Sequence, residues 1–191
     1  MAGILNKGLL LIFLVTAWVA TYSTSARAET FQEVEWTALM PPEDLEILMD
    51  PPDFLLNIVD GSDADNLDAL AERAESDEKA RRFKEALKSD KVVSELDGKK
   101  IRIPGFVVPL ETNEDRDVVA FFIVPYFGAC LHLPPPPPNQ ILYASWPEGL
   151  TVEELSVPMW FEGTVKIETQ ENETGKSAYS IAIANVEPYV G

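Results

Sequence analysis

From Lys91 to Val186 short apolar runs alternate with turn residues, and no helical period interrupts them. That rhythm constrains the fold more than any other feature of the chain. Val92–Leu96 reads as strand-like, and Asp97-Gly98 as a two-residue turn, because both positions tolerate positive φ. Lys99 to Leu110 returns as a strand with Ile101, Ile103 and Phe106 as apolar positions, interrupted by Pro104-Gly105. A proline cannot donate to a ladder, so the strand is expected to bend there. Val118 to Phe127 is a continuous apolar run, the pattern of a central strand covered on both faces. Ile141–Ala144, Pro158–Ile167 and Tyr179–Val186 complete the series, the last two separated by a turn at Asn172–Gly175. Five to six strands in about 100 residues, with no helices between them, predict a mainly β protein with N-terminal helices (α+β). A small OB-like Greek-key β-barrel fits best, helped to close by the bent strand, and a β-sandwich is the alternative.

The N-terminal part reads differently. Residues 1–28 have the layout of a signal peptide: Lys7, an apolar stretch from Gly8 to Ala20, then Ala26-Arg27-Ala28 ahead of Glu29. The stretch is about 13 residues long, against the roughly 20 that span a bilayer. Export to the periplasm, with cleavage near Ala28, is the expectation. No cysteine lies at the cleavage position, so no lipid anchor is expected. Residues 29–90 are predicted to form an N-terminal arm with short helices. Pro41-Pro42-Glu43-Asp44 suits a helix start, with proline in the first turn and acids at the positive end of the dipole. Leu45, Ile47 and Leu48 are its apolar face, and Pro51-Pro52 ends it. Residues 60–76 read as a solvated acidic linker. Asp60–Asp65 has some likeness to a calcium loop, but it lacks the sixth-position glycine and the closing glutamate. Asp77 to Lys88 is the clearest helix, with Ala80, Phe83, Ala86 and Leu87 on one face and Ser76 as its cap. Residues 91–191 are then the barrel domain.

Charge excludes one class of function. The chain of 191 residues holds 32 acidic and 15 basic side chains, a net charge of −17. Loss of Lys7 and Arg27 with the leader would leave 13 basic residues against 32 acidic, a charge of −19. A field of that sign repels nucleic-acid phosphates and anionic lipid, and attracts metal ions and basic surfaces.

The chain has one cysteine and one histidine, and they lie two positions apart in Gly128-Ala129-Cys130-Leu131-His132-Leu133, ahead of Pro134-Pro135-Pro136-Pro137-Pro138-Asn139-Gln140. In an extended segment Cys130 and His132 project from the same face with Cα atoms about 6.6 Å apart. A thiolate and an imidazole at that spacing can share a zinc or copper ion. They can also form a thiolate–imidazolium pair in which Cys130 is a nucleophile or redox thiol. A buried structural thiol beside an unrelated histidine is the bland third reading. Zinc takes at least three protein ligands, and Glu111, at the end of the bent strand, is the first candidate for the next one. Catalysis lacks an evident third group, although Asn139 or Gln140 can orient the imidazole; this favours binding over an enzyme. Pro134–Pro138 form a polyproline II rod, either a rigid wall beside the pair or, with Asn139 and Gln140, a contact surface for an aromatic groove on a partner.

Ile103-Pro104-Gly105-Phe106-Val107-Val108-Pro109-Leu110-Glu111, then Phe122 through His132, then Pro134 to Gln140, resemble the DUF3299 family of exported bacterial proteins. Pro158–Gly163 and Val186–Tyr189 fit the same family, so the resemblance covers residues 91–189. It implies an exported protein of uncharacterised function. It further implies an association with components of MacB-like ABC transporters in zinc-responsive neighbourhoods, which strengthens the metal reading.

Overall fold

The computed structural model describes residues 30–58, 67–129 and 135–189. The expected leader and the Asp60–Asp65 stretch lie outside the described residues, as do Cys130, His132 and Pro134. Among the described residues no helix is long and apolar enough to cross a membrane.

Five strands close into a barrel: β2 (Lys100–Thr112), β3 (Val118–Val124), β4 (Leu142–Leu150), β5 (Met159–Glu171) and β6 (Lys176–Pro188). The order around it is β2-β3-β4-β6-β5, and β5 returns to pair with β2. All neighbours are antiparallel except β4 and β6, which run parallel with Leu142 opposite Tyr179. This is the OB-type Greek-key connectivity that the strand rhythm predicts. A two-residue strand β1 (Gln32–Glu33) adds to β2 in parallel, opposite Ile101 and Arg102.

The Pro104-Gly105 bend performs the closure. Residues 100–105 of β2 pair with β5, and residues 106–112 pair with β3. One long strand thus serves two neighbours and changes partner at the bend. Ile101, Ile103 and Val107 point inward and join Phe121, Ile123, Leu142, Phe161, Val165 and Tyr179 in the main core. β3 is covered on both sides. Phe121 and Ile123 face that core, while Phe122 and Val124 belong to a second cluster with Ala129 and Ile141 on the outer face. Alternation puts successive side chains on opposite faces, and every position from Ala120 to Val124 is buried.

The helices precede the barrel: α1 (Pro42–Met49), α2 (Leu67–Arg73) and α3 (Glu78–Ala86). α2 falls where the sequence reads as linker. Its Leu70 packs with Ala74, Ala80 and Phe83 in a small cluster of their own. Asp77, not Ser76, caps α3, accepting from the N–H groups of Lys79 and Ala80. Val92–Leu96 is not a strand, since Ser94–Leu96 forms a 3₁₀ turn. The strand reading fails because distant side chains take the backbone groups a ladder would need. Val93 N–H donates to Tyr179 Oη at 2.6 Å, and Lys91 C=O accepts from Asn139 Nδ2 at 3.0 Å.

The segment before α1 is tied directly to the barrel. Leu39 is fully buried in the main core, and Trp36 Nε1 donates to Pro104 O at 2.7 Å. Tyr179 Oη donates to Leu39 O at 2.8 Å, so this one hydroxyl joins β6 to two earlier segments. Tyr179→Phe leaves the buried Leu39 carbonyl and the half-buried Val93 N–H without their partner, and a loss of about 1–3 kcal/mol is expected. Burial pushes the Tyr179 phenol above its ordinary value, and the Val93 N–H opposes this. The sign follows from linkage. Below the ordinary tyrosine value of about 10 both states keep the proton; above it the unfolded chain ionises first. This contribution to stability is therefore complete below about pH 10 and is lost as pH rises toward the raised folded value. Urea midpoints measured from about pH 8 to pH 11 should fall for the parent and fall less steeply for Tyr179→Phe.

Candidate functional site

The Cys130–His132 segment is the connection between β3 and β4, and both of its flanks are fixed. On the β3 side, Ala129 N–H donates to Tyr126 O at 3.3 Å, closing a four-residue turn. Gly128 occupies the third position of that turn with φ 76°, the left-handed region where a type II turn calls for glycine. The turn drives Ala129 into the outer cluster, where it is fully buried with Phe122, Val124 and Ile141. Phe127, more than half exposed, stacks against Phe106 at 6.3 Å.

On the β4 side the prolines turn inward. Pro136 and Pro137 are buried, and Pro135 and Pro138 are half-buried. Proline brings no N–H, so burying a run of them orphans no donors. Pro135 borders a cleft of about 210 Å³ between α2 and α3, beside Asp68, Leu70, Ala71, Lys84, Leu87 and Lys88. A 3₁₀ turn over Pro138–Gln140 then leads into β4. Asn139 is fully buried and donates to Lys91 O. Gln140 Nε2 donates to Trp36 O at 2.7 Å and to Asn139 O at 3.3 Å. Of the residues read as a contact surface, the described prolines, Asn139 and Gln140 thus serve mainly to bind the connection to its own chain. The Asn139 Oδ1 atom, buried, has no hydrogen-bond partner among the described residues.

A second group supports the same place from below. Asp44, in the first turn of α1, is 3% exposed and accepts from Ser89 Oγ and from Lys91 Nζ at 3.3 Å. Asp90 accepts from Lys176 Nζ at 2.6 Å, and the ion pair holds the Asp90 carboxyl below its ordinary value. Residues 89–91 are thereby fixed to α1, to β6 and, through Asn139, to the β3–β4 connection.

Glu111 stands elsewhere. It is exposed on β2 opposite Ala120, near the start of β3, whereas the Cys130 segment leaves from the far end of that strand. A cleft of about 370 Å³ gathers Glu111 with Leu110, Ala120 and Tyr143 and with the β5–β6 turn, residues 170–174. Among the described residues no group of three or more His, Cys, Asp or Glu side chains converges as a metal site. This cleft escaped the sequence because Asn172–Gly175 carries only a turn signal: Asn172 Oδ1 accepts from the N–H groups of Thr174 and Gly175. That the turn faces β2 and β3 is a property of the closed barrel.

A further cluster lies on the outer face of β2, β5 and β6. Arg102 pairs with Glu162 at 2.9 Å and Glu187 at 2.6 Å, with its guanidinium 4.5 Å over the Trp160 ring. Trp160 in turn lies 5.2 Å from Tyr189. These residues come from Pro158–Gly163 and Val186–Tyr189, so those two sequence blocks meet across a guanidinium. Every charge in the cluster is paired, which makes it a clamp between strands.

The chain is similar to the crystal structure of a DUF3299 family protein from Pseudomonas aeruginosa PAO1, solved at 2.45 Å resolution. The two are 32% identical, with a TM-score of 0.61, over 85% of this chain and 99% of that one. A search of curated proteins finds no match. The DUF3299 family, described as proteins of unknown function, matches residues 36–188, which takes in both the arm and the barrel. On that extent of match, the chain belongs to the DUF3299 family.

Proposed function

We propose that this protein is a periplasmic binding or accessory protein whose β3–β4 connection presents Cys130 and His132 to a transition metal, zinc or copper. The observation that carries the reading is the double anchoring of that connection. The chain's one thiol and one imidazole are tethered between a turn that ends at the buried Ala129 and a 3₁₀ turn whose Asn139 and Gln140 are buried. Fixing both ends lowers the entropy lost when two ligands settle on one ion. A thiolate and an imidazole are the donor types that zinc and copper prefer over calcium or magnesium. The surplus of carboxylates adds a long-range attraction for cations.

Two donors leave coordination positions open, and an open site suits transfer of the ion to a partner. The family resemblance points to components of ABC-type transporters as that partner. The expected result is one zinc or copper ion per chain, bound by the purified protein in competition with a chromogenic chelator. Cys130→Ala and His132→Ala should each weaken binding by at least about tenfold, since each removes a ligand. Stoichiometric binding that neither substitution alters would overturn the proposal, as would no binding by the parent chain.

A further inference from the structure

We infer that the cleft at the β5–β6 turn is a docking site for a basic peptide segment, lysine- or arginine-bearing, of a partner protein. This goes beyond the metal reading and does not depend on it. The cleft has two chemistries. Leu110, Ala120 and Tyr143, from three adjacent strands, make an apolar floor, and Glu111, Glu171 and Glu173 stand around it. Among the described residues no lysine, arginine or histidine lines it. Glu111 and Glu173 are exposed and enter no ion pair among the described residues. Glu171 lies opposite Lys176, but that ammonium is taken by Asp90. Glu111 and Glu173 are therefore uncompensated and Glu171 only partly compensated, and the three do not converge on one point as metal ligands would. Separated carboxylates around an apolar floor match a long cationic side chain. Its methylene stem lies on Leu110 and Ala120, and its head reaches the carboxylates or the Tyr143 ring.

One observation independent of charge favours an occupant. The cleft lies where β2, β3 and β4 meet the β5–β6 turn, the face and loop that barrels of this connectivity use for extended ligands. Gln170 and Thr174 also line the cleft, and their side-chain donors and acceptors favour a peptide, whose backbone can both donate and accept, over a free polyamine, which only donates.

The test is fluorescence anisotropy with a labelled peptide of alternating lysine and glycine, at an ionic strength of about 0.15 M so that diffuse attraction is screened. The cleft variant E111Q/E171Q/E173Q should bind at least about tenfold more weakly than the parent. The control variant E72Q/E75Q/E114Q, which makes the same change in net charge at exposed sites outside the cleft, should change affinity by less than about twofold. Equal losses in both variants would mean that only the overall field attracts the peptide, and would overturn the inference. So would an unchanged cleft variant. Spermidine should compete at least about tenfold less well than the unlabelled peptide; competition as strong as the peptide's would overturn the peptide assignment. Cys130→Ala leaves this readout unchanged, which separates it from the metal proposal.

Discussion

Gly105→Val is expected to lower stability by more than about 4 kcal/mol, enough to unfold a large share of the molecules. Space, not backbone freedom, is the reason, because Gly105 is not among the residues of positive φ. It is the last residue of β2 paired with β5 before Phe106 takes up the ladder with β3. A Cβ there would lie 2.4 Å from Ile123 Cγ2, 3.1 Å from Val124 O and 3.2 Å from Trp36 Cζ2. None of the three can yield cheaply. Ile123 is fully buried in the main core, Val124 O belongs to the strand backbone, and Trp36 is held by its bond to Pro104. Even Gly105→Ala should cost about 2–3 kcal/mol by overpacking. Gly163, opposite Ile101, is a second such point, where a Cβ would lie 2.5 Å from Ala182 O. Urea denaturation followed by circular dichroism measures both substitutions. A midpoint for Gly105→Ala equal to that of the parent would show that the strands move apart at the bend more freely than this packing implies.

The barrel was legible because its signals are local. The unbroken run from Val118 onward announces a strand covered twice, and the two clusters that contain Phe121 and Phe122 supply the two covers. Pro104-Gly105 announces a bend, and β2 changes partner there. What stayed hidden depends on residues far apart in the chain. Val92 and Val93 look like strand residues, but the hydroxyl that claims the Val93 N–H is 86 positions away. α2 looks like acidic linker because its packing partner, Phe83, belongs to the next helix. The prolines announce stiffness but not direction. Only the fold shows that Pro136 and Pro137 turn inward, and that Glu111 on β2 joins Glu171 and Glu173 at the β5–β6 turn, about 60 residues later in the chain. The two-residue spacing of Cys130 and His132 is a sequence fact, whereas the anchoring of their connection by Trp36 and Lys91 is a tertiary one.

That anchoring makes Trp36→Ala the second substitution of large expected effect. Trp36 links three parts of the molecule. Its indole packs against the main core and donates to Pro104 O at 2.7 Å, beside the bend. Its carbonyl accepts from Gln140 Nε2 at 2.7 Å, at the foot of the β3–β4 connection. Removing a partly buried indole should cost about 3 kcal/mol. Trp36→Phe, which keeps most of the apolar area and loses only the Pro104 bond, should cost about 1 kcal/mol. The carbonyl survives in both variants, so a change at the Gln140 turn would come from loosening of the arm. Hydrogen exchange at the Gln140 and Ile141 amides, which donate to Pro137 O at 2.8 Å and Pro138 O at 3.3 Å, should therefore quicken in Trp36→Ala and stay near parental in Trp36→Phe. If the arm preorganises Cys130 and His132, zinc affinity should follow exchange and not the urea midpoint: at least about tenfold weaker in Trp36→Ala, nearly parental in Trp36→Phe, with the stoichiometry intact in both. Parental affinity in Trp36→Ala despite fast exchange at Gln140 would mean that the connection holds its own shape, leaving the arm a role in stability alone.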